Sequence, residues 1–245
     1  MHTALFTTDL SSFADTLPPV FRAVDLTGVF LNGILGGRLA RQKRFDAVGF
    51  AVLAIISALG GGIVRDLMLA SGPPIAITDP YYLIVAIAGA AVAFVLPLEG
   101  KWALRLILVG DGLVLGTWAA TGATKTLGLG FGIMPALLLG LVTAVGGGMI
   151  RDIAAGNVPA VFGGNNLYAV PALVGAVIDI VLFKVGQPEI GMLGAALAAC
   201  IFVILAHWRS WRLPQASDTW SFSMTPKQWR ENREKKARAK DAKNS

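Results

Sequence analysis

The sequence predicts an all-α membrane protein with seven transmembrane helices, arranged as two inverted three-helix repeats plus a seventh helix. Three observations support this fold class: an apolar composition, seven apolar stretches long enough to span a bilayer, and a glycine-rich phrase that occurs twice. The 245 residues are 55% hydrophobic and 15% charged, whereas soluble domains carry roughly 25% charged residues. A soluble α/β enzyme fits poorly, because such long apolar runs exceed what one soluble core can use.

The seven helices follow from hydropathy, helix caps and chain breakers. They are predicted near residues 20–38, 46–70, 81–98, 103–123, 132–156, 167–185 and 190–208. Turn-forming residues separate most of them, as in Gly72-Pro73-Pro74. The short connections predict a compact bundle. The first 19 residues carry two Asp and no basic segment before an apolar stretch, so we expect no cleavable secretory signal there.

Lys and Arg residues predict the orientation in the membrane. The loops after the first and third predicted helices are basic, and the loops after the second, fourth and sixth hold only Lys125 and Lys184 near their ends. Basic loops are retained in the cytoplasm. We therefore expect a multi-pass membrane protein with its N-terminus outside and its C-terminus in the cytoplasm.

An internal repeat relates the two halves of the chain by an offset of 86 residues. Ionisable residues, prolines, tyrosines and glycines fall in constant register: Asp25 on Asp111, Arg65 on Arg151, Asp66 on Asp152, Pro73 on Pro159, Tyr82 on Tyr168 and Gly89 on Gly175. A chance match of apolar sequence would not align the ionisable residues, so the pattern indicates a duplication. Each copy contains three helices, which means that the two copies cross the membrane in opposite senses.

A glycine triplet lies near the centre of the second and of the fifth predicted helix, and each is followed by an Arg-Asp pair. The triplets are Gly60, Gly61, Gly62 and Gly146, Gly147, Gly148. Glycine weakens a helix, and charged residues are costly at membrane depth. Kinked or unwound helices that line a polar pathway explain both features. The alternative is that the glycines allow close helix packing, as small residues commonly do in membranes.

Charged residues at membrane depth favour a cation in this pathway. They comprise five acids and two bases: Asp25, Asp66, Asp111, Asp152, Asp179, Arg65 and Arg151. The side chains of Arg65 and Asp66 diverge by about 100° on a regular helix, so each is expected to need its own partner. Asp-Arg pairs within or across the repeats are both compatible with the spacing. The alternative role for all these charges is to hold helices together.

Asp179 stands outside the repeat pattern, because Ala93 occupies the equivalent position in the first copy. We interpret it as a carboxylate that supports pathway residues from behind. An excess of acids suits a monovalent cation, whereas a divalent ion would need a tighter set of converging ligands. The only metal expected is the permeant cation itself.

Five segments make up the predicted chain: an extracytoplasmic segment at 1–19, repeat one at 20–100, repeat two at 101–186, the seventh helix at 187–212 and a basic cytoplasmic tail at 213–245. The tail is expected to be a solvated extension that fixes topology, with binding to acidic membrane lipids as the alternative and no nucleic-acid partner. Its removal should leave the pathway intact.

Catalysis is not expected. The two histidines, His2 and His207, lie outside the predicted bundle, and Cys200 is the one cysteine of the chain. An enzyme would need a nucleophile with a base, or a set of metal ligands. No cofactor is indicated.

The two Gly-Gly-Gly-x-x-Arg-Asp phrases, the paired upstream Asp residues and the duplicated seven-helix layout resemble the prokaryotic trimeric intracellular cation (TRIC) channel family. The resemblance covers about residues 20–208. It implies a homotrimer in the bacterial or archaeal inner (plasma) membrane, in which each protomer has its own pore. That pore is bounded by kinked second and fifth helices and is permeable to potassium and, to some degree, sodium. It also leaves open a secondary transporter of a small solute such as glycine, because inverted repeats with broken helices serve carriers as well.

Overall fold

The computed structural model describes residues 19–97, 100–162 and 167–211. Contacts divide the chain into two units, Met1–Arg212 and Leu213–Ser245, and every described residue belongs to the first. Within the described ranges the chain is helical and contains no β-strand. The expectations for the N-terminal segment and for the basic tail lie outside these residues.

Seven helices of 16 residues or more occupy the described part of the chain. They are α1 (Pro19–Gln42), α2 (Ala47–Leu69), α3 (Pro80–Val95), α4 (Lys101–Gly128), α5 (Ile133–Ala154), α6 (Ala169–Lys184) and α7 (Pro188–Trp208). A four-residue helix, Ile75–Thr78, precedes α3, and a single 3-10 turn, Ala160–Phe162, precedes α6. Most bounds agree with the hydropathy prediction to within a few residues.

By length and composition, four of these helices are long and apolar enough to cross a bilayer: α2, α4, α5 and α7. Helix α3 is apolar but has 16 residues, fewer than the roughly 20 that a perpendicular span requires. Helix α4 extends beyond its predicted end at residue 123 as far as Gly128. Lys125 is therefore a helical residue and not a loop residue.

The helices pack in a pattern that occurs twice. Helix α1 packs on α2 and α3, and α4 packs on α5 and α6 in the same way; α2 and α5 meet at the centre, and α7 covers α4 and α6. Close approaches repeat with the same offset. A Cβ atom built on Gly36 of α1 would lie 2.8 Å from the Leu53 carbonyl oxygen, and one on Gly122 of α4 would lie 2.5 Å from that of Leu139.

Helices α2 and α5 run without interruption through both glycine triplets. Asp46 caps the start of α2 by accepting a hydrogen bond from the Gly49 amide, and the helix continues to Leu69. Helix α5 is likewise continuous from Ile133 to Ala154. The backbone is therefore not unwound at the triplets in this conformation. A kink of each helix at its triplet stays a prediction. Packing against neighbouring helices offsets the low helix propensity of glycine.

Candidate functional site

The three glycines of each triplet have different surroundings. A Cβ atom on Gly61 would clash with the Thr143 carbonyl oxygen, and one on Gly147 would clash with that of Ser57. These middle glycines therefore let the backbones of α2 and α5 touch where the helices cross. On Gly62, by contrast, a Cβ atom would meet only the side chain of Arg65, at 3.9 Å. The packing interpretation holds for the middle glycine of each triplet.

The last glycine of each triplet lines a cavity. The first cavity is lined by Gly62 together with Asp25, Arg65, Ile75, Tyr82 and Trp118, among others. The second is lined by Gly148 together with Asp111, Arg151, Asp152, Val161 and Tyr168, among others. Most of these residues are related by the 86-residue offset. The duplication thus builds two similar polar cavities next to the crossing of α2 and α5.

In the first cavity, Asp25 accepts hydrogen bonds from two neutral donors. The Tyr82 hydroxyl donates to Oδ2, and the Trp118 indole Nε1 donates to Oδ1 at 2.7 Å. Tyr82 belongs to α3 of the same repeat, whereas Trp118 belongs to α4 of the other. Among the described residues no cation forms a salt bridge with Asp25. Its carboxylate is therefore held by dipoles and is not neutralised by a direct ion pair.

Asp66, by contrast, is saturated with positively charged partners. Its Oδ1 accepts from Arg65 Nε and from Lys125 Nζ, both at 2.8 Å, and its Oδ2 accepts from the Ile75 amide at 3.1 Å. Asp66 is 1% exposed. A carboxylate buried to this degree needs such partners, because desolvation otherwise disfavours its charged form. Lys125 reaches it from α4, so this ion cluster joins the two repeats.

The second cavity repeats part of this arrangement. Tyr168 donates to Asp111 Oδ1 at 3.1 Å, and Arg151 donates to Asp152 Oδ1 at 2.9 Å from Nε. The Ala160 amide donates to Asp152 Oδ2 at 3.3 Å. Around the first cavity, Trp118 and Lys125 of α4 donate to aspartates of the other repeat. The second cavity lacks such donors, since the aligned positions hold Asn32 and Leu39. The second cavity is therefore held by fewer contacts than the first.

The Arg-Asp neighbours correct one expectation. Adjacent side chains were expected to diverge and to need separate partners, yet Arg65 pairs with Asp66 and Arg151 pairs with Asp152. The long arginine side chain bends back to the next residue, which a count of angles along the helix ignores. Among the described residues, Asp25 and Asp111 form no salt bridge with an arginine.

Asp179 lies apart from both cavities. Its side chain is fully buried, its Oδ2 accepts from Thr124 Oγ1 at 2.7 Å, and its Oδ1 has no hydrogen-bond partner. A Cβ atom on Gly191 of α7 would lie 2.9 Å from that Oδ1. Thr124 precedes Lys125, so Asp179 contacts the segment of α4 that carries the lysine paired with Asp66.

Sequence reasoning gave no site role to Trp118, which lines the first cavity, or to Lys125, which pairs with Asp66. Tyr82 and Tyr168 were found by the repeat but were given no role. The signal that could have found them is the repeat, because each tyrosine follows its duplicated aspartate by the same 57 residues. A tyrosine hydroxyl at such a repeated position is a candidate hydrogen-bond donor to that aspartate. Lys125 gave no such signal, because its partner comes from another helix. Among the described residues, no group of three His, Cys, Asp or Glu side chains forms a metal site.

A protein-family model described as "Glycine transporter" matches residues 22–97 and 108–184 of the chain, about one stretch for each repeat. The chain is also similar to the UPF0126 membrane protein of Deinococcus radiodurans. The two are 34% identical over 204 residues, which make up 81% of this chain and 93% of that protein.

Solved structures with the same fold include one described under "Structural basis for conductance through TRIC cation channels". That structure is 29% identical to this chain. The match covers 81% of this chain and 98% of the solved chain, with a TM-score of 0.74. The TRIC trimeric intracellular cation channel orthologue from Rhodobacter sphaeroides is 28% identical to this chain. The match covers 78% of this chain and 100% of that structure, with a TM-score of 0.71. The predicted resemblance to the prokaryotic TRIC family is confirmed. The chain belongs to the membrane-protein family whose model is described as Glycine transporter and whose fold is that of the TRIC channels.

Proposed function

We propose that this protein is a cation channel of the inner membrane, with one potassium-permeable pore in each protomer of a homotrimer. All seven helices cross the bilayer in this proposal, with the N-terminus outside, the C-terminus in the cytoplasm and the five segments as predicted. The pore runs between α2 and α5 and links the two cavities. The similarity to cation channels of known structure supports this proposal, and it gives the protein no enzymatic role.

The observation that carries the proposal is the pair of carboxylates Asp25 and Asp111. Each lines a cavity, and each is held by neutral donors from tyrosine or tryptophan. Asp66 and Asp152, in contrast, are engaged by arginine. A carboxylate kept without a direct ion pair at membrane depth attracts a cation, and it repels anions from the same space.

The crossing of α2 and α5 closes the pathway in this conformation. Gly61 and Gly147 bring the two backbones into contact between the cavities. Gly62 and Gly148 leave space on the cavity side, which permits each helix to bend without a side-chain clash. We propose that a bend at each triplet separates the helices and opens the pore, so that the kinked form is the conducting one.

A secondary transporter of a small solute such as glycine is the second candidate. Two observations favour it: the description of the matching family, and a tight contact that separates two similar cavities. A carrier needs such a barrier, because its site must open to one side at a time. A channel needs the barrier only in its closed state.

Flux into liposomes separates the two candidates. Purified protein should pass potassium down its gradient at a rate that rises in proportion to concentration, and it should show no saturable glycine uptake. Asp25→Asn and Asp111→Asn should each reduce potassium selectivity over chloride, whereas Glu189→Gln, which alters an exposed acid of α7, should not. Saturable glycine uptake coupled to an ion gradient, without potassium conduction, would establish the carrier instead.

A further inference from the structure

A third cavity lies at the C-terminal end of α1, beside the second. Its lining comprises Leu35, Arg38, Leu39, Gln42, Arg151 and Asp152. Leu35, Arg151 and Asp152 also line the second cavity. The two cavities therefore adjoin each other, and the third is the nearer of the two to the end of α1.

Arg38 is the feature of this cavity that the proposed pore does not use. Its Nε is buried and has no hydrogen-bond acceptor, and it forms no salt bridge with any described residue. Arg65 and Arg151, by comparison, each pair with the aspartate that follows them. A buried N–H donor without an acceptor is costly, although Arg38 as a whole is half-buried. The site therefore lacks one hydrogen-bond acceptor for Arg38, and no described carboxylate pairs with it.

The local charge defines the missing group. Arg38 and Arg151 contribute two positive charges and Asp152 one negative charge, so the lining carries a formal charge of plus one. A monovalent anion balances this charge, whereas a phosphate with two charges exceeds it. Guanidinium groups bind halides and carboxylates through their N–H edges. The Gln42 amide adds a neutral donor, and Leu35 and Leu39 supply apolar walls.

We propose that the third cavity binds one small monovalent anion, chloride or a small carboxylate, between Arg38 and Arg151. The anion removes the positive field beside the second cavity and thereby strengthens cation binding at Asp111. The coupling is reciprocal, so a cation at Asp111 also strengthens anion binding. This inference rests on the cavities and goes beyond the proposed function, since it holds for a channel and for a carrier alike.

Thermal unfolding of the purified protein in detergent tests the anion site. Chloride replaces gluconate at constant ionic strength and constant potassium, and Tm is recorded. We expect a saturable rise in Tm for the natural chain. Arg38→Gln should weaken the apparent chloride affinity by about tenfold or more, and Arg38→Lys should retain much of it. Lys43→Gln, which removes an exposed charge five residues further along, is the matched control and should behave like the natural chain.

Several results would overturn the proposal. One is the absence of a saturable chloride response in the natural chain, which requires no variant to fold. Another is stabilisation by phosphatidylglycerol or by glycine but not by chloride or acetate, which would assign the cavity to a lipid headgroup or a zwitterion. A response that Arg38→Gln leaves unchanged would place the anion elsewhere.

Potassium titration tests the coupling separately. The concentration of potassium that gives half of the maximal Tm rise should be about threefold lower in chloride than in gluconate, a modest coupling by the standards of linked sites. Equal values in the two salts would refute the coupling. The chloride experiment is independent of the proposed function, because it can succeed when potassium flux fails. The potassium titration rests on the proposed cation binding at Asp111, so a failure of the titration alone leaves the anion site standing.

Discussion

Lys125 Nζ lies 2.8 Å from Asp66 Oδ1 and joins α4 of the second repeat to α2 of the first. The aligned position in the first repeat is Leu39, which offers Asp152 no such cation. The two repeats have thus diverged at this position. The second repeat carries a lysine that pairs with Asp66, and the first carries a leucine. The two cavities consequently differ in how firmly their walls are held together.

Removal of Lys125 should loosen the first cavity. In Lys125→Gln, Asp66 keeps Arg65 and the Ile75 amide, so we expect a loss of about 1–3 kcal/mol in unfolding free energy, less than for a fully orphaned buried charge. Potassium flux into liposomes should rise severalfold, because the cavity becomes more negative and loses a link between repeats. Lys184→Gln, at an exposed position in the last turn of α6, is the control. Unchanged or reduced flux in a folded variant would contradict this role.

The reverse change should close the second cavity. Leu39→Lys places a lysine where the repeat would have it, within reach of Asp152 by analogy with Lys125. We expect a new ion pair and a potassium flux reduced by about tenfold, equivalent to about 1.4 kcal/mol. Leu39→Met, which keeps an apolar side chain of similar volume, should leave the flux near its original value. If Leu39→Lys conducts potassium as well as Leu39→Met does, a lysine at this position does not control flux through the second cavity.

The middle and last glycines of each triplet should respond differently to alanine. Gly61→Ala and Gly147→Ala insert a methyl group against a backbone carbonyl, and overpacking of this kind costs about 1–3 kcal/mol. Gly62→Ala and Gly148→Ala meet only a flexible arginine end and should preserve Tm, while they reduce flux if the helices must bend there. Thermal unfolding and flux measured on all four variants provide the test. Equal loss of stability at the middle and last positions would contradict the assignment of packing to the middle glycines and bending to the last ones.

The tyrosine hydroxyls should differ in importance between the cavities. Tyr168→Phe removes the one hydrogen bond that Asp111 has among the described residues, whereas Tyr82→Phe leaves Asp25 with Trp118. We expect Tyr168→Phe to change potassium selectivity over chloride more than Tyr82→Phe does, by a difference of about 1 kcal/mol, the net contribution of one such bond. Reversal potentials in a potassium chloride gradient measure it. A larger effect for Tyr82→Phe would contradict the comparison.

Much of the fold follows from sequence, because hydropathy and the 86-residue register depend on residues near one another in the chain or on direct repetition. The end of α4 does not follow from it. Residues Thr124 to Thr126 are polar, yet they lie inside the bundle, where Asp179 and Asp66 engage Thr124 and Lys125. Hydropathy measures the preference for lipid and cannot anticipate a polar partner on another helix. The role of the middle glycines could not be predicted from sequence either. A glycine that allows close helix packing and a glycine that interrupts a helix look the same in the sequence.

Asp179 provides the last test, which separates a supporting role from a structural one. Asp179→Asn keeps the volume and the acceptor for Thr124 but removes a buried ionisable carboxyl that has no cationic partner among the described residues. We expect the unfolding free energy to be unchanged or to rise by about 1 kcal/mol, because burying an ionisable carboxyl without a cationic partner is costly. Thr124→Val, which removes the donor, should instead cost about 1–3 kcal/mol. If Asp179 positions Lys125 through α4, Asp179→Asn should also shift potassium flux in the same direction as Lys125→Gln. Flux identical to that of the natural chain, with Tm preserved, would limit Asp179 to packing between α4, α6 and α7.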